Sequence, residues 1–151
     1  MPEPYSYNIA SFEELQSLIS KQPRTFSLNL VVCSDSTLRS FLVQQIEAAF
    51  NQIDSVSFWP YSDDLFEHVH EKVGEGPKDS IFIFGLDDAL ATDQNHDSMF
   101  RKLDHSPNRW KAWFACPVIF WINSETEKIL LDEAKDFWEW QTGLFRLDPE
   151  L

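Results

Sequence analysis

The residues best placed to do chemistry are Cys33-Ser34-Asp35-Ser36-Thr37-Leu38-Arg39-Ser40, which directly follow the apolar stretch Leu28 to Val32. The segment has the length and register of a phosphate-binding loop, G-x-x-x-x-G-K-[ST]. Such a loop holds phosphates with backbone N–H groups, and its glycines let the backbone approach closely. Here Cys33 and Leu38 stand at the glycine positions and Arg39 at the lysine position; only Ser40 fits. A non-glycine residue forced to positive φ costs about 1–2 kcal/mol, and in a retained cradle both Cys33 and Leu38 would face that demand. Leu38 has another role available, opening an apolar stripe with Leu42, Ile46 and Ala49. Arg39 keeps a positive charge, but its long planar fork is a poor replica of a compact ammonium. The expectation is a phosphate loop that has lost its ligand. Residual anion binding by N–H groups near Asp35 and Ser36 stays open, although Asp35 itself would repel a phosphate.

Other reactive side chains form no nucleophile system. His68 and His70 lie two apart on an expected helix and diverge; His96 and His105 fall in loop-like stretches. Cys33 and Cys116 sit at the ends of apolar strands and read as buried free thiols rather than a disulfide or a metal pair. Cys116 precedes Pro117 in an apolar setting, which disfavours a reactive thiolate. Asp87 and Asp88 follow the apolar run Ile81 to Phe84. Two carboxylates at a strand's end form a reasonable divalent site, and they equally suit a turn and a helix N-cap. No metal site is expected.

These residues need a scaffold, and the hydrophobic pattern supplies one. Ser11 before Glu13 and Glu14, with Phe12, Leu15, Leu18 and Ile19, reads as a short capped helix closed by Pro23. The expected strands are Ser27 to Cys33, Val56 to Trp59, Ile81 to Phe84, Val118 to Ile122 and Leu144 to Leu147. Helices are expected from Leu38 to Ala49, Asp63 to Val73, Pro107 to Phe114 and Ser124 to Phe137, with a further helical piece from Met99 to Leu103. Residues 88 to 98 read as a polar loop. Strands alternating with helices, several of them apolar on both faces, predict a mainly parallel sheet covered on two sides, a three-layer α/β/α sandwich. Residues 1–24 form a helical lead-in and 25–151 the domain proper.

Composition narrows the function classes. The 151 residues suit one domain, and an apolar fraction of 43% with 15% aromatics suffices for a sizeable core. No apolar run approaches the roughly 18 residues of a membrane span, and Met1-Pro2-Glu3-Pro4-Tyr5 lacks the pattern of a signal peptide. The expected location is the cytoplasm. With 25 acids against 12 bases the formal charge is −13, which repels nucleic-acid phosphates and anionic membranes. Trp110, Trp113, Trp121, Trp138 and Trp140 mostly suit core packing. Trp138 and Trp140 alternate before Gly143, so one of them is a candidate for docking a partner or a neighbouring domain.

Taken in order, Phe84-Gly85-Leu86-Asp87-Asp88, then Cys116-Pro117-Val118-Ile119-Phe120-Trp121, then Asp136-Phe137-Trp138-Glu139-Trp140 with Gly143 and Phe145, resemble a known family. They look like the N-terminal NTPase-like domain of certain bacterial STAND-type signalling proteins, whose chains often continue into tetratricopeptide repeats. The resemblance covers roughly residues 27 to 147. It implies a five-stranded, AAA-like P-loop NTPase sheet of order 5-1-4-3-2. It places the acidic Walker B position at Asp87 and Asp88, where a Mg²⁺ ligand and a water-orienting acid would stand. Asn123 resembles the polar sensor position, although capping the next helix explains it equally well.

The sequence therefore predicts a non-catalytic NTPase-like interaction or regulatory module of a bacterial signalling or defence protein. It would use no cofactor and would contact protein partners or neighbouring domains of a larger chain. The alternative is an atypical ATP- or GTP-binding switch in which Arg39, Ser40, Asp87 and Asn123 hold Mg-ATP in altered geometry, with weak or no hydrolysis. A third reading is a generic α/β ligand-binding domain with its site outside the strand ends. A response-regulator receiver fits poorly, because the first strand ends in Cys33 and the fifth carries Arg146 where an acid and a lysine are needed.

Overall fold

The structure, a computed structural model, describes residues 6–21, 25–57, 65–73, 78–92 and 107–149. Five strands form one sheet: β1 (Ser27–Val32), β2 (Ile53–Ser57), β3 (Ser80–Phe84), β4 (Pro117–Ile122) and β5 (Gly143–Arg146). Their order is β2-β3-β4-β1-β5, and every ladder is parallel. This is the expected order 5-1-4-3-2 read from the opposite edge. It is also the order that the AAA-like resemblance implied.

Period-two alternation splits the central strands between two cores. Leu28, Leu30 and Val32 of β1 and Val118, Phe120 and Ile122 of β4 face one side, where they pack with Ile81 and Ile83. Val31, Ile119, Trp121 and Phe82 face the other. Because both faces are buried, these strands read as continuous apolar runs. Trp121 lies beside the rings of Phe82 and Phe84, with centroids 5.4 and 6.2 Å away. Its indole N–H has no hydrogen-bond partner among the described residues.

Helices α1 (Ile9–Ser20) and α2 (Ser36–Ala49) cover the Trp121 face. The opposite face is covered by α3 (Leu65–Lys72), α4 (Leu86–Thr92), α5 (Pro107–Trp113), α6 (Ser124–Glu133) and α7 (Lys135–Trp140). Asn8 caps α1, accepting the Ser11 N–H at 3.2 Å, so the helix starts before the expected Ser11 cap. Phe12, Leu15 and Ile19, at spacings of three and four, bury one stripe of α1. Residues 6–21 of the lead-in thus contribute to one covering layer, and the Asn8 N–H donates to the Leu147 carbonyl at 3.0 Å.

Several elements differ from the sequence reading. The single helix expected from Ser124 to Phe137 is broken at Ala134, whose φ of −128° and ψ of 57° lie outside the helical region. Residues 88–92, expected as the start of a polar loop, belong to helix α4. The edge strands begin earlier, β2 at Ile53 and β5 at Gly143. The expected helix from Met99 to Leu103, and His96, His105 and Trp59, lie outside the described residues. Both cysteines are free and buried. Among the described residues, no helix is long and apolar enough to cross a membrane.

The buried stripe of α1 generates a test. Leu15→Ala should lower stability by about 2–5 kcal/mol, the usual cost of a core truncation. Ile9→Ala, at an exposed position of the same helix, should stay within about 0.5 kcal/mol of wild type. Urea denaturation reads both, and a silent Leu15→Ala would place α1 outside the cooperative unit.

Candidate functional site

A parallel sheet brings all its strand carboxyl ends to one edge, the position where open α/β sheets hold ligands. Here that edge gathers the β1–α2 turn, the β3–α4 turn, the β4–α6 junction and the residues after β5. Gly85 makes the β3–α4 turn possible: its φ of 92° is in the left-handed region that glycine enters without a Cβ penalty. The chain can therefore leave Phe84, bury Leu86 and present Asp87 in the first turn of α4.

Asp87 is the hub of this edge. Its Oδ2 accepts from Arg39 Nη2 at 3.0 Å. Its Oδ1 accepts from the Asn123 N–H at 3.0 Å and from Thr126 Oγ1 at 2.6 Å. Arg39 also donates to the Cys33 carbonyl, from Nε at 3.3 Å and Nη2 at 2.9 Å. The two charged side chains are only 18% and 17% exposed, so the pair is shielded and its hydrogen bonds are of the stronger, charge-assisted kind. The arrangement holds α2, α4 and the start of α6 together over the strand ends.

The β1–α2 turn is shorter than a phosphate cradle. Only Cys33, Ser34 and Asp35 separate β1 from α2, and Ser36 through Ser40 are helical. In a P-loop the glycine-flanked segment lies between strand and helix. No non-glycine residue among those described has positive φ, so neither Cys33 nor Leu38 bears the expected strain. Three backbone donors of the turn and of the first turn of α2 are occupied by the protein's own carboxylates. Asp35 caps α2, its Oδ1 accepting from the N–H groups of Thr37 at 2.8 Å and Leu38 at 3.1 Å. Asp148, beyond β5, accepts from the Ser34 N–H at 2.8 Å and from Ser34 Oγ at 3.1 Å. Ser34 Oγ in turn accepts from the Ser124 N–H at 3.1 Å.

The sequence candidates thus separate into two groups. Cys33, Arg39, Asp87 and Asn123 come together. Asn123 is the N-cap of α6, its Oδ1 accepting from the Thr126 N–H at 2.8 Å. Leu38 is buried in the core cluster with Leu42 and Ile46, and Ser40 and Asp88 are exposed. Trp138 and Trp140 are partly buried and packed against the core, whereas Trp113 is 62% exposed, with its ring 4.6 Å from that of His70. Sequence reasoning gave no role to Ser34, Thr126 or Asp148. Asp35 before Ser36 and Thr37 carried an N-cap signal, but nothing local marks Asp148, 114 residues from its partner. The Cys33 thiol is fully buried, and burial, with the Asp148 charge second, pushes its pKa up to about 12.

No family model matches this chain, and no curated protein matches it. Among solved structures, the chain is similar to the ORC2 protein of Aeropyrum pernix, solved as ADPNP and ADP complexes, with a TM-score of 0.48 and 10% identity. The similarity covers 97% of this chain and 50% of that one, so this chain spans half the length of the protein it matches.

Two outcomes follow from the geometry of the edge. Asp87→Ala leaves Arg39, the Asn123 N–H and the Thr126 hydroxyl without their acceptor, and should cost about 1–3 kcal/mol. Asp87→Asn keeps an acceptor for the latter two and should cost less; urea denaturation of both variants checks the ranking. The raised Cys33 pKa means that the folded state holds this proton more tightly than the unfolded chain. Its contribution is therefore complete below the ordinary thiol value of 9.0 and is lost as pH climbs towards about 12. Stability of the wild type relative to Cys33→Ala should fall across that interval and stay level below it.

Proposed function

We propose that this chain is a non-catalytic, P-loop NTPase-like module that works by contact rather than by hydrolysis, within a cytoplasmic bacterial signalling or defence protein. The observation that carries this reading is the closure of Arg39 onto Asp87 at 3.0 Å. In working P-loop enzymes the loop lysine contacts phosphates while an acid across the sheet holds Mg²⁺. Here the residues at those two positions are paired with each other, and the second Asp87 oxygen is committed to Asn123 and Thr126. Cys33, Leu38, Arg39, Ser40, Asp87, Asp88 and Asn123 are then the remnants of a nucleotide site, with Leu38 turned into core and Arg39 into a cross-tie. Asp35 and Asp148 put negative charge on the donors that phosphates would require.

The module's effect on its surroundings is steric and allosteric. Its partners are proteins or neighbouring domains, with the exposed indole of Trp113 and the outer rims of Trp138 and Trp140 as apolar contact points. The net charge of −13 favours partners with basic surfaces over nucleic acid.

Calorimetric titration with MgATP and MgADP tests the reading, with thermal unfolding as a second readout. The expected result is no saturable heat and no rise in Tm with either nucleotide. Binding at micromolar affinity that is abolished by Arg39→Ala and Asp87→Ala would replace it with a nucleotide-dependent switch.

A further inference from the structure

Among the described residues the buried polar side chains are Asn29, Ser80 and Thr126. Two of them are accounted for: Ser80 Oγ donates to the Pro117 carbonyl at 2.7 Å, and Thr126 Oγ1 donates to Asp87. Asn29 is different. It stands in the middle of β1, an otherwise apolar strand at the heart of the sheet, and is 1% exposed. Its amide nitrogen donates to Ser27 Oγ at 2.9 Å, but no donor among the described residues reaches its carbonyl oxygen. The oxygen is not sealed off: among the described residues, the buried side-chain nitrogen or oxygen without a partner is Trp121 Nε1, so Asn29 Oδ1 keeps contact with solvent.

The carbonyl oxygen has room reserved for it. Gly143 of β5 lies opposite Asn29 in the ladder, and a Cβ there would stand only 2.5 Å from Asn29 Oδ1. Around this point opens a cavity of about 250 Å³. It lies at the strands' amino ends, where Ser27 and Pro117 form the first rung of β1 and β4, at the opposite end of the strands from Arg39 and Asp87. Asn29 and Ser27 form its polar wall, Leu18 and Phe145 an apolar one, and Lys21, just past the end of α1, also lines it.

We propose that this cavity binds a small organic carboxylate that also carries a hydroxyl or amide donor. The donor pairs with Asn29 Oδ1, the hydrocarbon portion lies against Leu18 and Phe145, and the carboxylate meets the Lys21 ammonium. Size selects the class. A cavity of roughly 150 Å³ accepts a benzene ring, whereas drug-sized ligands occupy roughly 300–1,000 Å³, so 250 Å³ suits a short-chain acid. Lys21, with no ion-pair partner among the described residues, supplies positive charge on a chain whose net charge is −13. The inference is independent of the nucleotide question, because none of the residues it uses belongs to the opposite edge.

Titration of the ¹⁵N-labelled full chain with 3-hydroxybutyrate, succinamate and butyrate, followed by two-dimensional NMR, tests it. At least one of the first two should give saturable shifts confined to the amides around Lys21, Ser27, Asn29 and Gly143. Butyrate has the carboxylate and hydrocarbon but no donor, and should bind roughly tenfold more weakly, as expected for one hydrogen bond. Lys21→Ala, at an exposed position that leaves the fold intact, should weaken the donor-bearing acid severalfold. Absence of saturable shifts with both donor-bearing acids, equal affinity for butyrate, or shifts at the Arg39–Asp87 edge instead would each overturn the proposal.

Discussion

The constraint on which the carboxyl edge depends is the shared acceptance of three donors by one carboxylate, that of Asp87. Strand ends in a parallel sheet are held side by side by the ladders, but the helices that follow them are not. Arg39 reaches Asp87 from α2, while the Asn123 N–H and the Thr126 hydroxyl reach it from the start of α6. The donors tie α4, which carries Asp87, to α2 on one side and to the start of α6 on the other, and together they hold the carboxylate in one orientation. The guanidinium is held at its other side by the Cys33 carbonyl, so the pair cannot swing apart without exposing two desolvated charges at once. The rigidity of the edge comes from this geometry rather than from apolar burial.

The same logic governs the neighbouring turn. Backbone N–H groups removed from water require acceptors, and at the start of a helix several of them point the same way. In a phosphate-binding loop the ligand satisfies them; here Asp35 and Asp148 do so from within the chain. Winding Ser36 through Ser40 into α2 removes the need for positive φ and with it the need for glycine. Non-glycine residues in the turn, early helix formation and internal carboxylates are mutually consistent. Any one of them alone would leave either strain or an unpaired donor.

How much of this was legible in the sequence depended on the range of each interaction. The two-faced strands β1, β3 and β4 were visible because burial on both sides writes a continuous apolar run, and α2 was visible through the spacing of Leu38, Leu42 and Ile46. The strand order was accessible only through the resemblance of ordered motifs, since periodicity carries no information on neighbours. The break at Ala134 was hidden because Leu130, Ala134 and Phe137 all face the same core, so the apolar spacing runs on across the break. Helix α4 was missed because its first turn is acidic, which resembles a loop in composition although acids favour a helix N-terminus. The Asp148–Ser34 bond joins the two ends of the domain, and no local pattern could have announced it.

The two edges of the sheet end in opposite states. At the carboxyl edge, where helix N-termini and strand ends concentrate hydrogen-bond donors, Asp35, Asp87 and Asp148 accept from them within the chain. At the amino edge the Asn29 carbonyl oxygen lies against a bare glycine backbone, beside a cavity that Lys21 also lines. A chain that had merely lost a ligand would be expected to retain unsatisfied groups where the ligand had been. Instead the carbonyl oxygen that no described donor reaches lies earlier on the same strand: Val32 leads into the turn held by Asp35 and Asp148, and Asn29, three residues before it, lines the cavity. The chemical capacity left in this fold is therefore on the side that the sheet's topology does not usually employ.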